Sequence, residues 1–223
     1  MECTIVNYGE EMIYFDYEEA QEYIREIYGA QDVPREREFI ENSVTKDFDP
    51  IIEDEMARLF RLLLRLTSAK KVLEIGTSIG FSTTHLALAA KENGGKVVSL
   101  ELDEEVAKAA RINFEREGVS DSIEIVIGNA ADTIKDFEDE SFDVVFQDSS
   151  KRIYPKMLDE CLRVLKKGGL FLIDDTLFPV ITPRDKWTVS DKAIDDFNRI
   201  LLEKGVISTI LPIGEGCTLA VKI

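Results

Sequence analysis

The chain has 223 residues, 44% of them hydrophobic and 32% charged, and a formal net charge of −17. This describes a globular protein of one domain, or one domain with a helical extension, and excludes a disordered chain. No apolar run reaches about 18 residues, which excludes a membrane-spanning helix, and the acidic balance argues against tight nonspecific binding to nucleic acid or anionic membranes.

In chain order, residues 17–29, 33–46 and 50–66 read as helices. Asp16 is a candidate cap for the first. Asp49 is one for the third, where Pro50 could open the helix. Ile51, Ile52, Met56, Leu59, Phe60 and Leu63 recur there at helical spacing. From residue 71 the pattern changes to apolar runs that alternate with helices. Strands are predicted at 71–76, 96–101, 122–128, 142–148 and 169–174, with helices near 80–92, 103–118, 130–137 and 154–166. Fully apolar strands alternating with helices imply a parallel sheet covered on both faces. The end differs: a helix at 191–204 precedes strands at 206–211 and 217–222. Their connection is so short that they must form an antiparallel hairpin. The expected fold is α/β, a Rossmann-like, mostly parallel seven-stranded sheet with an antiparallel C-terminal strand. Helices cover both faces, and an N-terminal helical cap or subunit-contact segment at 1–49 precedes the main domain at 50–223.

The start, Met1-Glu2-Cys3-Thr4-Ile5, lacks a basic segment followed by an apolar core, so no secretory signal is expected. Cys3, Cys161 and Cys217 form neither a CxxC nor a zinc spacing. A disulfide framework is not expected, which points to a reducing cytoplasm. His85 is the only histidine and lies in a helical stretch, where a packed or solvated role is expected over catalysis.

The first chemically informative segment is Val72-Leu73-Glu74-Ile75-Gly76-Thr77-Ser78-Ile79-Gly80-Phe81-Ser82. A strand runs into a glycine turn and then a helix. Gly76 lets the backbone turn sharply beside a ligand, and Gly80 opens a helix whose free N–H groups attract an anionic group. A dinucleotide fold wants GxGxxG. Ser78 and Phe81 replace its second and third glycines, which disfavours a dehydrogenase. Glu101 closes the second strand, where a carboxylate can accept hydrogen bonds from two ribose hydroxyls; a plain surface acid is the alternative.

These residues resemble the class I S-adenosylmethionine (SAM)-dependent methyltransferases, and more closely the catechol and caffeoyl-CoA O-methyltransferases, over roughly residues 50–223. Glu74 to Ser82 match the family's first SAM motif, Glu101 its ribose acid, and Gly128-Asn129-Ala130 its loop beside the adenine. The tail Leu211–Ala220 is similar to its closing hairpin. The resemblance also places Ile52, Thr77, Leu102 and Asp148 at the cofactor.

A third constellation separates this family from other methyltransferases. One strand ends in Asp148 and the next in Asp174-Asp175. In a parallel sheet both ends open on the ligand-binding edge. Three converging carboxylates are costly unless a cation neutralises them, and all-oxygen ligands favour Mg²⁺, with Ca²⁺ or Mn²⁺ as alternatives. Helix-capping acids would give the same pattern. The resemblance assigns the metal to Asp148, Asp174 and Asp175, the last departing from a frequent Asn, and assigns catalysis to Lys151. Tyr154, Pro179 and Trp187 are the candidate substrate residues. Residues 178–190 are long for a connection, so a lid or substrate wall is expected, with Trp187 stacking on the acceptor or anchoring the loop.

The function so implied is metal-dependent transfer of a SAM methyl group to a hydroxyl of a vicinal dihydroxy aromatic small molecule, by a homodimer. Lys151 would act as general base. The alternatives are methylation of a hydroxylated tRNA uridine, against which the −17 charge weighs, and a SAM-binding protein without turnover, against which the intact acids and Lys151 argue.

Overall fold

The computed structural model describes residues 3–8, 11–15, 17–29 and 33–223. It divides into two compact units, residues 1–33 and 34–223. In the first, β1 (Cys3–Tyr8) pairs antiparallel with β2 (Glu11–Phe15), and α1 (Tyr17–Tyr28) follows. The helix matches the sequence pattern. The hairpin was not anticipated, although Thr4, Ile5 and Val6 are β-branched. Asp16, the expected cap, lies outside the described residues. Tyr23, Ile27 and Tyr28 form an exposed apolar stripe on α1.

The second unit opens with α2 (Glu36–Asn42) and α3 (Asp54–Thr67). Both are shorter than their apolar patterns predicted. Asp49 does not cap α3: residues 50–53 stay outside the helix, and extended Glu53 occupies the N-cap position. Burial explains the later start, because Ile52 is held in the core by this extended segment. Met56, Phe60 and Leu64 then face inward at helical spacing.

The strand–helix alternation follows. Its elements are β3 (Lys71–Ile75), α4 (Phe81–Glu92), β4 (Lys96–Glu101), α5 (Glu104–Arg116), β5 (Ile123–Ile127), α6 (Ala130–Thr133), β6 (Phe142–Gln147), α7 (Tyr154–Val164) and β7 (Leu165–Ile173). Strand β7 begins where the sequence pattern still read as helix. After α8 (Phe178–Ile181) and α9 (Val189–Leu201), the chain closes with β8 (Val206–Leu211) and β9 (Cys217–Lys222).

The seven strands lie in the order β5-β4-β3-β6-β7-β9-β8. All neighbours from β5 to β7 are parallel, whereas β9 is antiparallel to both β7 and β8. The reversed strand is last in sequence and sits inside the sheet. Period-two alternation splits the core between two faces. Val72, Val144, Phe146 and Leu172 pack with Met56, Phe60 and Phe81 on one side. Leu73, Val145, Phe171 and Ile173 pack with Tyr154, Leu158 and Phe197 on the other. Edge-to-face rings, Phe60–Phe146 at 4.7 Å and Tyr154–Phe197 at 5.5 Å, tie helices to each face.

The strand order reverses at β3, so the crevice beyond the carboxyl ends of β3, β4 and β6 is where a ligand is expected. His85 on α4 is buried against Phe81, with ring centroids 4.7 Å apart. Burial, then the nearby Arg61 charge, pushes its pKa down to about 3, so it is a neutral core ring.

Candidate active site

The turn after β3 is built from below. The Glu74 carboxylate is fully buried and accepts from Ser82 Oγ at 2.6 Å, from Ser99 Oγ at 2.6 Å and from Thr83 Oγ1. Ser99 spends its one hydroxyl proton on Glu74, so Thr77 Oγ1 donates to Ser99 across 2.6 Å. Burial raises the Glu74 pKa to about 7, against the opposing pull of Ser82, Ser99 and Thr83. Glu74 and Ser82, which the resemblance placed at the cofactor, therefore satisfy one another beneath the turn and set its shape.

Gly76 has φ of +103°, and a β-carbon there would lie 1.9 Å from the Asp148 carbonyl oxygen. Only glycine lets the end of β6 approach so closely. Asp148 N donates to Ile75 O at 2.9 Å and Gly76 N to Leu100 O at 3.0 Å, so the turn is stitched to both neighbouring strands. Gly80, at φ +88°, packs on the Phe114 ring where a β-carbon would collide.

Glu101 stands at the end of β4 and its carboxylate holds the same turn. One oxygen accepts from Thr77 N and Ser78 N at 3.1 and 2.9 Å, the other from Leu102 N and Asp103 N at 2.8 and 3.0 Å. Leu102 is exposed beside it. Gly128 N donates to Glu101 O, and Asn129 caps α6 by accepting from Ala131 N, so Gly128, Asn129 and Ala130 adjoin Glu101. Ser78 Oγ donates to Asp49 O, which ties the segment before α3 to the turn. Ile52 within that segment is buried and presents little surface to a ligand.

The second half of the site lies at the ends of β6 and β7. Asp148, Asp174 and Asp175 each offer a carboxylate oxygen, all within 4.8 Å of one another. Lys151 Nζ sits 2.9 Å from Asp148 Oδ1 and 2.5 Å from Asp175 Oδ2. Burial, then repulsion from Asp148 and Asp175, holds the Asp174 carboxyl well above the usual carboxylate range. Burial also pushes Asp148 up while Lys151 pulls it down. For Lys151, burial favours the neutral amine, but Tyr154, Asp148 and Asp175 more than reverse that, and the ammonium is retained above its ordinary pKa. Three hard oxygen donors with a single cationic partner fit a divalent cation by the chemistry of the donor set. Asp175 has φ of +59°, a left-handed position that Asp tolerates better than most residues.

Not every expected substrate residue faces a ligand. Tyr154 is fully buried: its hydroxyl donates to Gln147 O at 3.2 Å and its ring lies 5.4 Å from Lys151 Nζ. It supports Lys151 and presents no surface of its own. Pro179 is half-buried in α8. Trp187 Nε1 donates to Thr182 O at 3.1 Å, and Arg184 stacks 5.4 Å above its ring, so it anchors the 178–190 segment. Sequence reasoning missed Glu53 and Glu215. They come from the N-cap of α3 and from the β8–β9 turn, and both feel the charge of Asp175. No spacing signal joins residues 53, 175 and 215; only the tertiary fold does.

The O-methyltransferase family profile matches residues 32–223. The catechol O-methyltransferase of Mycobacterium tuberculosis is 35% identical over 126 residues, 56% of this chain and 57% of that protein. Thus the chain spans little more than half the length of that relative. The crystal structure of a cofactor-bound protein from MTB aligns with a TM-score of 0.80 at 26% identity, over 91% of this chain and 95% of the other. An O-methyltransferase from Bacillus cereus in complex with SAH aligns with a TM-score of 0.79 at 24% identity, over 90% and 97%; at that identity the likeness concerns the fold.

Proposed function

Because the chain belongs to the O-methyltransferase family, we propose that it transfers the methyl group of SAM to one hydroxyl of a catechol-type aromatic diol, with Mg²⁺ or a related divalent cation held by Asp148, Asp174 and Asp175. The observation that carries this reading is the meeting of three aspartates and Lys151 at the carboxyl ends of adjacent strands. The glycine turn after β3, braced by Glu101, adjoins them through the Gly76–Asp148 contact.

SAM supplies an electrophilic methyl group on a sulfonium. The turn 76–80 and Glu101 would bind it, with Gly128–Ala130 beside its base. A bound cation would polarise the acceptor hydroxyls and lower their pKa from the phenolic value of about 10. The acceptor oxygen forms its bond to the methyl carbon as the carbon–sulfur bond breaks and the electron pair returns to sulfur. Before that the hydroxyl must lose its proton. Without a cation, Asp148 and Asp175 hold Lys151 as an ammonium; a cation on those acids would supply the positive charge that lowers the lysine pKa, and the Lys151 amine would then accept the hydroxyl proton as general base. Once protonated, Lys151 returns to its ion pairs with Asp148 and Asp175. Alignment of the reacting atoms supplies much of the acceleration.

The reading is tested by incubating the protein and labelled SAM with catechols, caffeoyl-CoA and undermodified tRNA, with and without EDTA. Label should enter a catechol and stop entering when EDTA is present. Transfer to tRNA alone, or EDTA-resistant transfer, would overturn it. The unpaired thiols of Cys161 and Cys217 fit the cytoplasmic location that the sequence suggests.

A further inference from the structure

Asp174 and Asp175 are neighbours in sequence, yet their carboxylates share one site with Asp148. A strand sends successive side chains to opposite faces. Strand β7 does so up to its end, with Leu172 in the core beside α3 and Ile173 in the core beside α7 and α9. In extended backbone Asp174 and Asp175 would part in the same way. The left-handed backbone at Asp175, with φ of +59°, breaks the alternation and lets both side chains serve one site. A residue other than glycine keeps such a conformation where its surroundings enforce it. Here hydrogen bonds on both sides do so. Asp174 N donates to Gln147 O at 3.1 Å. On the other side Thr176 is fully buried and has every polar group engaged. Its N donates to Gly216 O at 2.9 Å, and its Oγ1 donates to the same oxygen at 3.1 Å. Thr218 Oγ1 donates to Thr176 Oγ1 at 2.9 Å, and Asn198 Nδ2 donates to Thr176 O at 2.8 Å. Residue 176 is thus clamped from β9, from the turn before it and from α9.

We propose that Thr176, Asn198 and Thr218 are positioning residues for the cation: they hold the turn that aims Asp174 and Asp175 together, and so set the affinity of the site. This rests on the cation reading of Asp148, Asp174 and Asp175. The three residues act through the backbone of residues 174–176. Donors assembled in advance lose little freedom when an ion arrives, which strengthens binding. Loosening residue 176 would let Asp175 relax toward extended backbone, where its carboxylate leaves the other two. Mg²⁺ demands near-ideal octahedral geometry, so a displaced donor weakens its binding directly.

The test is calorimetric titration of the full chain with MgCl₂, without SAM or acceptor, beside thermal melts. Thr176→Val and Thr218→Val each remove one hydroxyl with little change of shape, Asn198→Leu removes the amide, and Thr176→Ser keeps the hydroxyl. Asn93→Ala is the control. Its amide donates to Leu64 O and Ala69 O at 3.1 and 3.0 Å, at the amino ends of the strands and away from the site. Outer residues that orient metal ligands typically contribute about 10–100-fold to metal affinity. Thr176→Val and Asn198→Leu should weaken Mg²⁺ binding by about tenfold and Thr218→Val by a few-fold, the low end of that range. Thr176→Ser should bind like the wild type, and Asn93→Ala should melt lower yet bind Mg²⁺ unchanged. Thr218→Val, the mildest change, carries the test if the other two do not fold. Unchanged affinity in every folded variant at 176, 198 and 218, beside a binding wild type, would overturn this proposal and leave the three-aspartate reading standing. An equal loss in Asn93→Ala would overturn it too, by tracing the weakening to lost stability alone. A wild type that does not bind Mg²⁺ would overturn the cation reading, and this proposal with it.

Discussion

At the scale of single residues, protonation divides the site. Glu74 is buried with its pKa raised to about 7. The unfolded chain ionises it near 4.3, so between those values the folded state binds more protons. Stability therefore falls as pH rises from about 4.5 to 7, by roughly 3 kcal/mol in all. Glu74→Gln keeps the hydrogen-bonding shape and removes the ionisation. Urea melts at pH 5 and pH 7 should show a flatter dependence in the variant, and an identical slope would mean that Glu74 ionises freely. Lys151 is held in the opposite sense, as an ammonium between Asp148 and Asp175. Lys151→Ala should lower kcat by about 10²–10⁴, with the SAM dissociation constant little changed. Its residual activity should rise with pH as solution supplies the phenolate. Lys151→Arg keeps the charge and cannot serve as a base, so it should be about as slow as the alanine variant. An arginine variant near the wild-type rate would show that Lys151 acts by its charge alone.

At the scale of elements, the site depends on how closely the strand ends approach. The β3–α4 turn passes against β6 with no room for a side chain at Gly76. Gly76→Ala would add both a clash with the Asp148 carbonyl and strain at φ +103°. We expect a loss of about 3 kcal/mol, read from urea midpoints, together with loss of SAM binding. A variant that melts like the wild type would show that β6 can retreat freely. The segment between β7 and α9 is fixed at its far end by the Thr188–Asp191 capping box and by Trp187 on Thr182. Val180 and Ile181 remain exposed on its near side. An exposed apolar surface on an anchored segment fits a substrate wall better than a freely swinging lid.

At the scale of the whole molecule, both hydrophobic clusters are built, among the described residues, from residues beyond 33. Residues 34–223 should therefore fold without the first unit, with a melting temperature within a few degrees of the full chain. Tyr23 and Ile27 are exposed apolar side chains on α1. We propose that the N-terminal segment makes subunit contacts in a homodimer. Light scattering should give a dimer mass for residues 1–223 and a monomer mass for residues 34–223. The same mass for both would remove the N-terminal segment from assembly.

The sequence by itself determined the sheet, because its signals are local. Short fully apolar runs, glycine turns and the short link between residues 211 and 217 each act within a few residues. The same holds for the Glu-x-Gly-x-x-x-Gly turn at 74–80 and for acids at strand ends, so the three aspartates and Lys151 were legible before any fold was known. The first unit's hairpin was overlooked in a short stretch whose alternation is weak. Only the tertiary structure decided the rest. Glu74 turned from a ligand residue into a buried brace because its hydroxyl partners come from two elements. Tyr154 turned inward because Phe197, 43 residues away, closes over it. Glu53 reaches Gly214, and the β8–β9 turn bonds to residues 176 and 177, through packing between distant segments that no local pattern encodes. Side-chain chemistry is written in the residue, but the charge that surrounds it is set by what folding brings near.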